Sequence, residues 1–218
     1  MKITFARGPF QAAFALAAQM TSPRSPKEVL SNVKLEAEGR RVVLMATDSE
    51  AGIRIELDDI DVQTPGKVLL PVLRVGNILR ECSDESLALS SNDSQIEIRG
   101  SHSEFHLPFV NPDSFPTIAP FVEDAYYEVE ARVFRELVKR TVFATDLEST
   151  RYALGGVLLE MKDEVISAVA TDGRRLALMQ GAGKCIGGFQ PGTGNIIVPV
   201  KTLSVMERSL GDQEAKVH

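Results

Sequence analysis

Residues 33 to 38, VKLEAE, and residues 157 to 162, VLLEMK, alternate apolar with polar side chains, the two-residue period of strands with one buried face. In RVFRELVKRTVF, residues 132 to 143, Val133, Leu137, Val138 and Val142 recur with Phe134 and Thr141 at spacings of three and four, which predicts an amphipathic helix. The stretch LALSSNDSQIEIRGSHSEFHLPF, residues 87 to 109, divides into two or three strands at an Asn-Asp turn and a Gly-Ser turn. In VATDGRRLAL, residues 169 to 178, two apolar runs flank an Asp-Gly pair, which supplies the positive φ angles of a tight hairpin.

These patterns occur twice. VLSNVKLEAEGRRVVLMATDSE (29 to 50) lies against ALGGVLLEMKDEVISAVATDGR (153 to 174) without a gap, at a shift of 124 residues. Val33 meets Val157, Leu35 meets Leu159, Glu36 meets Glu160, Val42 meets Ile166, and Ala46-Thr47-Asp48 meets Ala170-Thr171-Asp172. The same shift sets Phe10 on Phe134 and Phe14 on Val138; after a four-residue insertion, Gly66, Pro71 and Arg80 coincide with Gly194, Pro199 and Arg208. The chain therefore reads as two copies of one α+β domain, each with two helices packed on antiparallel sheets. Behind Lys2 and Arg7, FQAAFALAAQ faintly resembles a signal peptide, but the repeat makes it a helix.

Prolines 112, 116 and 120 interrupt the periodicity of NPDSFPTIAPFVEDA (111 to 125), which predicts a short semi-rigid linker between domains at 1–120 and 126–218. Pro71 is followed by 38 residues up to Phe109, whereas Pro199 is followed by 19 up to His218. The second copy is accordingly expected to lack its closing strand pair, and the sequence to be an N-terminal fragment.

A composition of 44% apolar and 25% charged residues is that of a globular protein, and no stretch approaches the roughly 20 apolar residues that span a bilayer. Cys82 and Cys185 lie far apart and outside any CxxC pair, which favours a reducing cytoplasm and suggests neither a disulfide framework nor a zinc site. His102 and His106 are expected on one exposed strand face with no third metal ligand nearby. The glycine-rich GAGKCIGG, with Lys184 after Gly183, lacks the Ser or Thr of a phosphate-binding loop and reads as a mobile surface loop.

The net charge of −6 argues by itself against nucleic acid, but the charge is unevenly placed. The helical windows 6–20, 72–82, 131–143 and 200–210 together carry +6, and the rest of the chain carries −12. Basic helices gathered on a concave face would meet phosphates without reading bases.

The duplication, with RSPKEVLSNVKLEAEG, LESTRYALGGVLLE, VATDGRRLAL and GNIIVPVKTL, resembles the bacterial DNA polymerase III beta subunit, the sliding-clamp family, over the whole chain. The resemblance implies three such domains per full-length chain and a head-to-tail homodimeric ring around duplex DNA, with helices facing the hole. It also implies a non-catalytic processivity factor without cofactors, opened by a separate ATP-driven loader. Polymerase and clamp-loader subunits would insert short peptides into a pocket of Arg151, Leu154, Thr171, Gly173, Arg174, Arg175 and Leu176, with the two leucines as its floor. Arg174 and Ala153 depart from the histidine and the aromatic often found there. Carried over in the same way, Arg24, Arg74, Tyr152 and Lys201 would face DNA, while Leu147 and Glu148 replace polar DNA-contacting residues. Phe105 and Leu107 would lie at the edge that meets a second copy.

Two rival functions are open. Asp48 and Asp172 could serve acid-base or metal chemistry in an enzyme, although equivalent positions in a repeat point to equivalent turns. A protein-interaction scaffold that never encircles DNA would use the same surfaces.

Overall fold

The computed structural model describes residues 1–218 except 24, 150, 191, 193–195 and 212–214. The chain divides into two compact units, Met1–Pro120 and Phe121–His218.

The first unit runs β1 (Lys2–Ala6), α1 (Arg7–Ala18), β2 (Asn32–Glu38), β3 (Arg41–Thr47), β4 (Gly52–Leu57), β5 (Asp61–Thr64), β6 (Gly66–Pro71), α2 (Val72–Glu81), β7 (Ser86–Ser91), β8 (Gln95–Arg99) and β9 (Glu104–Pro108). The second runs β10 (Tyr126–Glu130), α3 (Ala131–Lys139), β11 (Gly156–Lys162), β12 (Val165–Thr171), β13 (Leu176–Ala182), β14 (Lys184–Ile186), β15 (Ile196–Pro199), α4 (Val200–Ser209) and β16 (Lys216–Val217). A shift of 124 residues carries the bounds of β1, β2 and β3 onto those of β10, β11 and β12, and a shift of 128 carries α2 onto α4.

Each unit has two antiparallel sheets. In the first they are ordered β5-β1-β7-β8-β9 and β4-β3-β2-β6; in the second, β14-β10-β16 and β13-β12-β11-β15. Strand β16 pairs with β10 through Val129 and Val217 as β7 pairs with β1. Among the described residues, β8 and β9 have no counterpart in the second unit.

The helices form where apolar residues recur on one face. Phe10, Phe14 and Ala17 are the buried stripe of α1, and Ala131, Phe134, Leu137 and Val138 that of α3. Leu137, Leu203, Val157 and Ala168 share the core of the second unit. Helix α3 stops at Lys139, short of the expected residue 143, because Thr141 is fully buried and its hydroxyl donates back to the Leu137 carbonyl at 2.6 Å. Strand β3 is an unbroken apolar run because Val43, Met45, Leu69 and Phe115 form a second core on its sheet.

That second core corrects the expected linker. Phe115 is buried, Ile118 packs against the cluster, and Asn111 Oδ1 accepts the Asp113 amide at 2.9 Å, so residues 111 to 118 belong to the first unit. GAGKCIGG is corrected too: it holds the end of β13 and all of β14, which pairs with β10 at Tyr126 and Ile186. No helix among the described residues is long and apolar enough to cross a membrane.

Candidate functional site

Strands β12 and β13 pair from Val165 and Ala182 up to Thr171 and Leu176, leaving Asp172 to Arg175 as a four-residue loop. This is wider than the tight hairpin expected from Asp-Gly. Only Gly173 in the loop has a positive φ, 86°, because the Asp172 side chain rather than the backbone closes the turn. Asp172 Oδ1 accepts the amides of Arg174 and Arg175, both at 2.9 Å, and Oδ2 lies 2.9 Å from Arg175 Nε. The Thr171 hydroxyl accepts the Gly173 amide at 3.0 Å and donates to the Arg175 carbonyl at 2.7 Å.

The first unit repeats this frame. The Thr47 hydroxyl donates to the Ala51 carbonyl at 2.7 Å and accepts the Ser49 amide at 3.0 Å. Asp48 Oδ1 accepts the amides of Glu50 and Ala51 at 3.1 and 3.0 Å, and Ser49 takes the positive φ, 82°, that Gly173 takes in the other turn. Both aspartates thus act as turn acceptors. The amides of Arg175 and Arg174, then the Arg175 guanidinium, hold the Asp172 carboxyl below its ordinary range, a state suited to scaffolding rather than proton transfer at neutral pH.

Around this loop, Leu176 is 66% exposed and Leu178, two residues on along the edge strand β13, is exposed on the same face. Leu154 is half-buried in a 3-10 turn whose carbonyl accepts the Asp146 amide at 2.8 Å, and Arg151 just before it is exposed. Phe143 was not singled out from the sequence. Its carbonyl accepts Arg175 Nη2 at 2.7 Å, and its exposed ring lies 5.7 Å from the Arg175 guanidinium carbon. The signal lay in the helical stripe, which ends at Thr141 and leaves a large aromatic off the buried face.

The residues expected to face DNA are distributed differently. Arg74 and Lys201 are exposed in the first turns of α2 and α4, and Tyr152 is 65% exposed with its hydroxyl donating to the Ile197 carbonyl at 3.2 Å. Arg24 lies outside the described residues. Many helical cations have internal partners. Arg7 donates to the carbonyls of Asp84 and Leu79 at 2.8 and 3.1 Å, and Arg135 to that of Leu210. Arg132 and Arg140 pair with Glu130 and Glu136 at 2.5 and 2.6 Å. The surplus positive charge counted along the helices is therefore partly internal wiring.

Strand β9 is the edge of its sheet. Leu107 is only 6% exposed, so its side chain belongs to the interior of its own unit and any contact along this edge engages it through the backbone. Phe105 is half-buried and lines a cleft of about 430 Å³ with Ile78, Cys82, Asp84 and His102. His102 lies in a bend before β9, not on the strand with His106. His106 instead meets Glu104, at 2.9 Å, and Glu97, their ligand atoms within 4.8 Å of one another. The Arg99 guanidinium, 2.8 Å from Glu97 and 3.3 Å from Glu104, already supplies the cation those carboxylates require.

Residues 1–119 match the family described as DNA polymerase III beta subunit, N-terminal domain, and residues 128–218 match the central domain of the same subunit. The beta sliding clamp of Staphylococcus epidermidis is 28% identical over 204 residues, 90% of this chain and 53% of the relative. The chain therefore spans about half the length of the curated relatives it matches. A solved DNA polymerase III subunit beta from Pseudomonas aeruginosa superposes with a TM-score of 0.87 at 27% identity, covering 99% of this chain and 58% of that one. The Caulobacter crescentus pol III beta structure gives 0.85 at 29% identity, over 98% and 59% of the two chains. With both of its units matched, the chain belongs to the DNA polymerase III beta subunit family.

Proposed function

We propose that this chain supplies the first and second domains of a sliding clamp, a cytoplasmic homodimeric ring that encircles duplex DNA and tethers polymerase and clamp-loader subunits. The observation that carries the reading is that both units match the family in the order N-terminal domain, central domain. In this reading the relatives' additional length corresponds to a third domain. The clamp is non-catalytic and needs no cofactor. The engagement of Asp48 and Asp172 as turn acceptors supports that role over an enzyme's.

Arg24, Arg74, Tyr152 and Lys201 are assigned to the DNA side, where contact with phosphates alone gives sequence-independent, salt-dependent association. Phe105 and Leu107 are assigned to the edge that meets a second copy. The hairpin of Thr171, Gly173, Arg174, Arg175 and Leu176, with Leu154 and Arg151, is assigned to docking short partner peptides, its exposed leucine offering an apolar anchor beside guanidinium donors.

The test is retention of the full-length ring, loaded by its loader, on circular against linear duplex. A clamp is held on circles and slides off free ends; equal retention on both would leave a scaffold without encirclement.

A further inference from the structure

The outer face of the first unit's β4-β3-β2-β6 sheet is the counterpart of the face that carries Leu176 and Leu178 in the second unit. Thr47 pairs with Gly52 and Met45 with Arg54, as Thr171 pairs with Leu176 and Val169 with Leu178. Gly52 and Arg54 therefore stand where the second unit has its two exposed leucines. In the first unit this face is covered: Val43, Met45 and Leu69 are buried under residues 111 to 118.

The covering segment is attached by side chains. Phe115 is buried in the cluster of Val43, Met45 and Leu69, its ring centroid 5.7 Å from Lys34 Nζ. Ile118, three residues on, lies over Gly52: a Cβ at that position would stand 3.2 Å from Ile118 Cδ1 and 3.4 Å from Cγ1. Among the described residues, the hydrogen bonds of the segment are internal. The Asp113 amide donates to Asn111 Oδ1 at 2.9 Å, the Ser114 hydroxyl to the Asn111 carbonyl at 2.9 Å, and the Phe115 amide to the Pro112 carbonyl at 3.1 Å. Two apolar anchors three residues apart, on a backbone whose φ is fixed at Pro112 and Pro116, are the means by which a short peptide lies in a groove at low ordering cost.

We infer that the outer face of the first unit is itself a short-peptide groove, kept filled in cis by residues 111 to 118, and that Gly52 is the residue that admits Ile118. The inference goes beyond the docking role proposed for the second unit and does not depend on it. The tether holds the segment at an effective concentration of about a millimolar, so a free peptide of the same chemistry enters only when the anchors in the chain are removed. That chemistry is an aromatic and a β-branched aliphatic residue three positions apart. A leucine at position 52 would take the space of Ile118 and expel the segment.

The experiment has two readouts on the full-length protein. In hydrogen exchange resolved by peptide, Ile118→Ala and Gly52→Leu should each speed exchange across residues 109 to 118 about tenfold or more, while the ladder of β2 and β3 keeps its rates. Unchanged exchange across 109 to 118 in Gly52→Leu overturns the inference. In fluorescence anisotropy, the labelled octapeptide Asn-Pro-Asp-Ser-Phe-Pro-Thr-Ile, residues 111 to 118, should bind the double variant Phe115→Ala with Ile118→Ala. The unchanged protein should bind it at least about tenfold more weakly, because its own segment competes. Replacing the peptide's phenylalanine by alanine, or adding Gly52→Leu to the double variant, should abolish binding, whereas adding Leu176→Ala should leave it unchanged. Equal binding by the double variant and the unchanged protein, no binding by a folded double variant, or loss of binding on adding Leu176→Ala would each overturn the inference. Should the double variant lose its circular dichroism, the exchange rates of Ile118→Ala and Gly52→Leu decide alone.

Discussion

Replacing Thr47 or Thr171 by valine deletes the same two hydrogen bonds from equivalent turns, and the difference in burial sets different costs. Thr47 is 6% exposed, with its hydroxyl 2.7 Å from the Ala51 carbonyl and 3.0 Å from the Ser49 amide. Thr171 makes the matching pair at 2.7 and 3.0 Å, but it is half-buried and its partner Arg175 is exposed. Valine keeps the volume and loses the hydroxyl. Where water enters, each neutral hydrogen bond costs about 0.5–1.5 kcal/mol net; where it does not, an abandoned buried group costs about 1–3 kcal/mol. Thr47→Val should therefore destabilise the first unit by about 2 kcal/mol, and Thr171→Val the second by about 1 kcal/mol or less. Urea unfolding followed by circular dichroism gives the totals, and hydrogen exchange resolved by peptide assigns each loss to its own unit. Equal costs, or a larger one for Thr171→Val, would refute the reasoning that burial of the turn hydroxyl sets its worth.

Three further outcomes are expected. Leu176→Ala should leave stability within about 0.5 kcal/mol, because the side chain is 66% exposed, yet weaken partner-peptide binding by roughly 1–3 kcal/mol in titration calorimetry; unchanged affinity removes Leu176 from the docking surface. Tyr127→Phe should stabilise the second unit by about 1 kcal/mol, since the Tyr127 hydroxyl is buried without a hydrogen-bond partner among the described residues; a lower urea midpoint would show that the hydroxyl is paired. The Ser101 amide, with the Cys82 thiol and the Ser103 hydroxyl, lowers the Asp84 pKa from 3.8 to about 2. A depressed carboxyl pKa stabilises the fold above the unfolded value and ceases to do so as pH falls through the folded one. Unfolding midpoints of the unchanged protein and Asp84→Asn should thus differ above pH 4 and converge toward pH 2, and a constant gap between pH 4.5 and 2 would count against that account.

The duplication was legible because core spacing survives where individual residues change. Val33 and Val157, or Val42 and Ile166, fill the same strand positions, and the element bounds recur at the same shift. The hairpin residues could be named from the sequence, but the hydrogen bonds that join them could not. Arg174 and Arg175 are identical letters side by side, and it is the Asp172 carboxylate and Phe143, 32 residues earlier in the chain, that hold the side chain of the second and not of the first. The Asp-Gly pair suggested a tighter loop because turn statistics weigh the glycine, whereas here the aspartate side chain does the closing. Residues 111 to 118 misled for a related reason: prolines end periodicity without saying whether the segment leaves the core, and Phe115 stays in it. His102 was displaced from the strand by the Gly100 turn, whose amide donates to the Ser103 carbonyl at 2.8 Å.

The shared turn frame makes the side chains it carries exchangeable freight. Thr and Asp build the mount in both units, and the three positions that follow hold Ser49, Glu50 and Ala51 in one and Gly173, Arg174 and Arg175 in the other. Backbone geometry is common to the two, while their polarity is opposite, acidic in the first unit and basic in the second. Divergence between the halves could thus proceed at the middle of these places, Glu50 in one and Arg174 in the other, without disturbing either hairpin, whereas the first place is tied to a positive φ and the third, in the second unit, to Asp172 and Phe143.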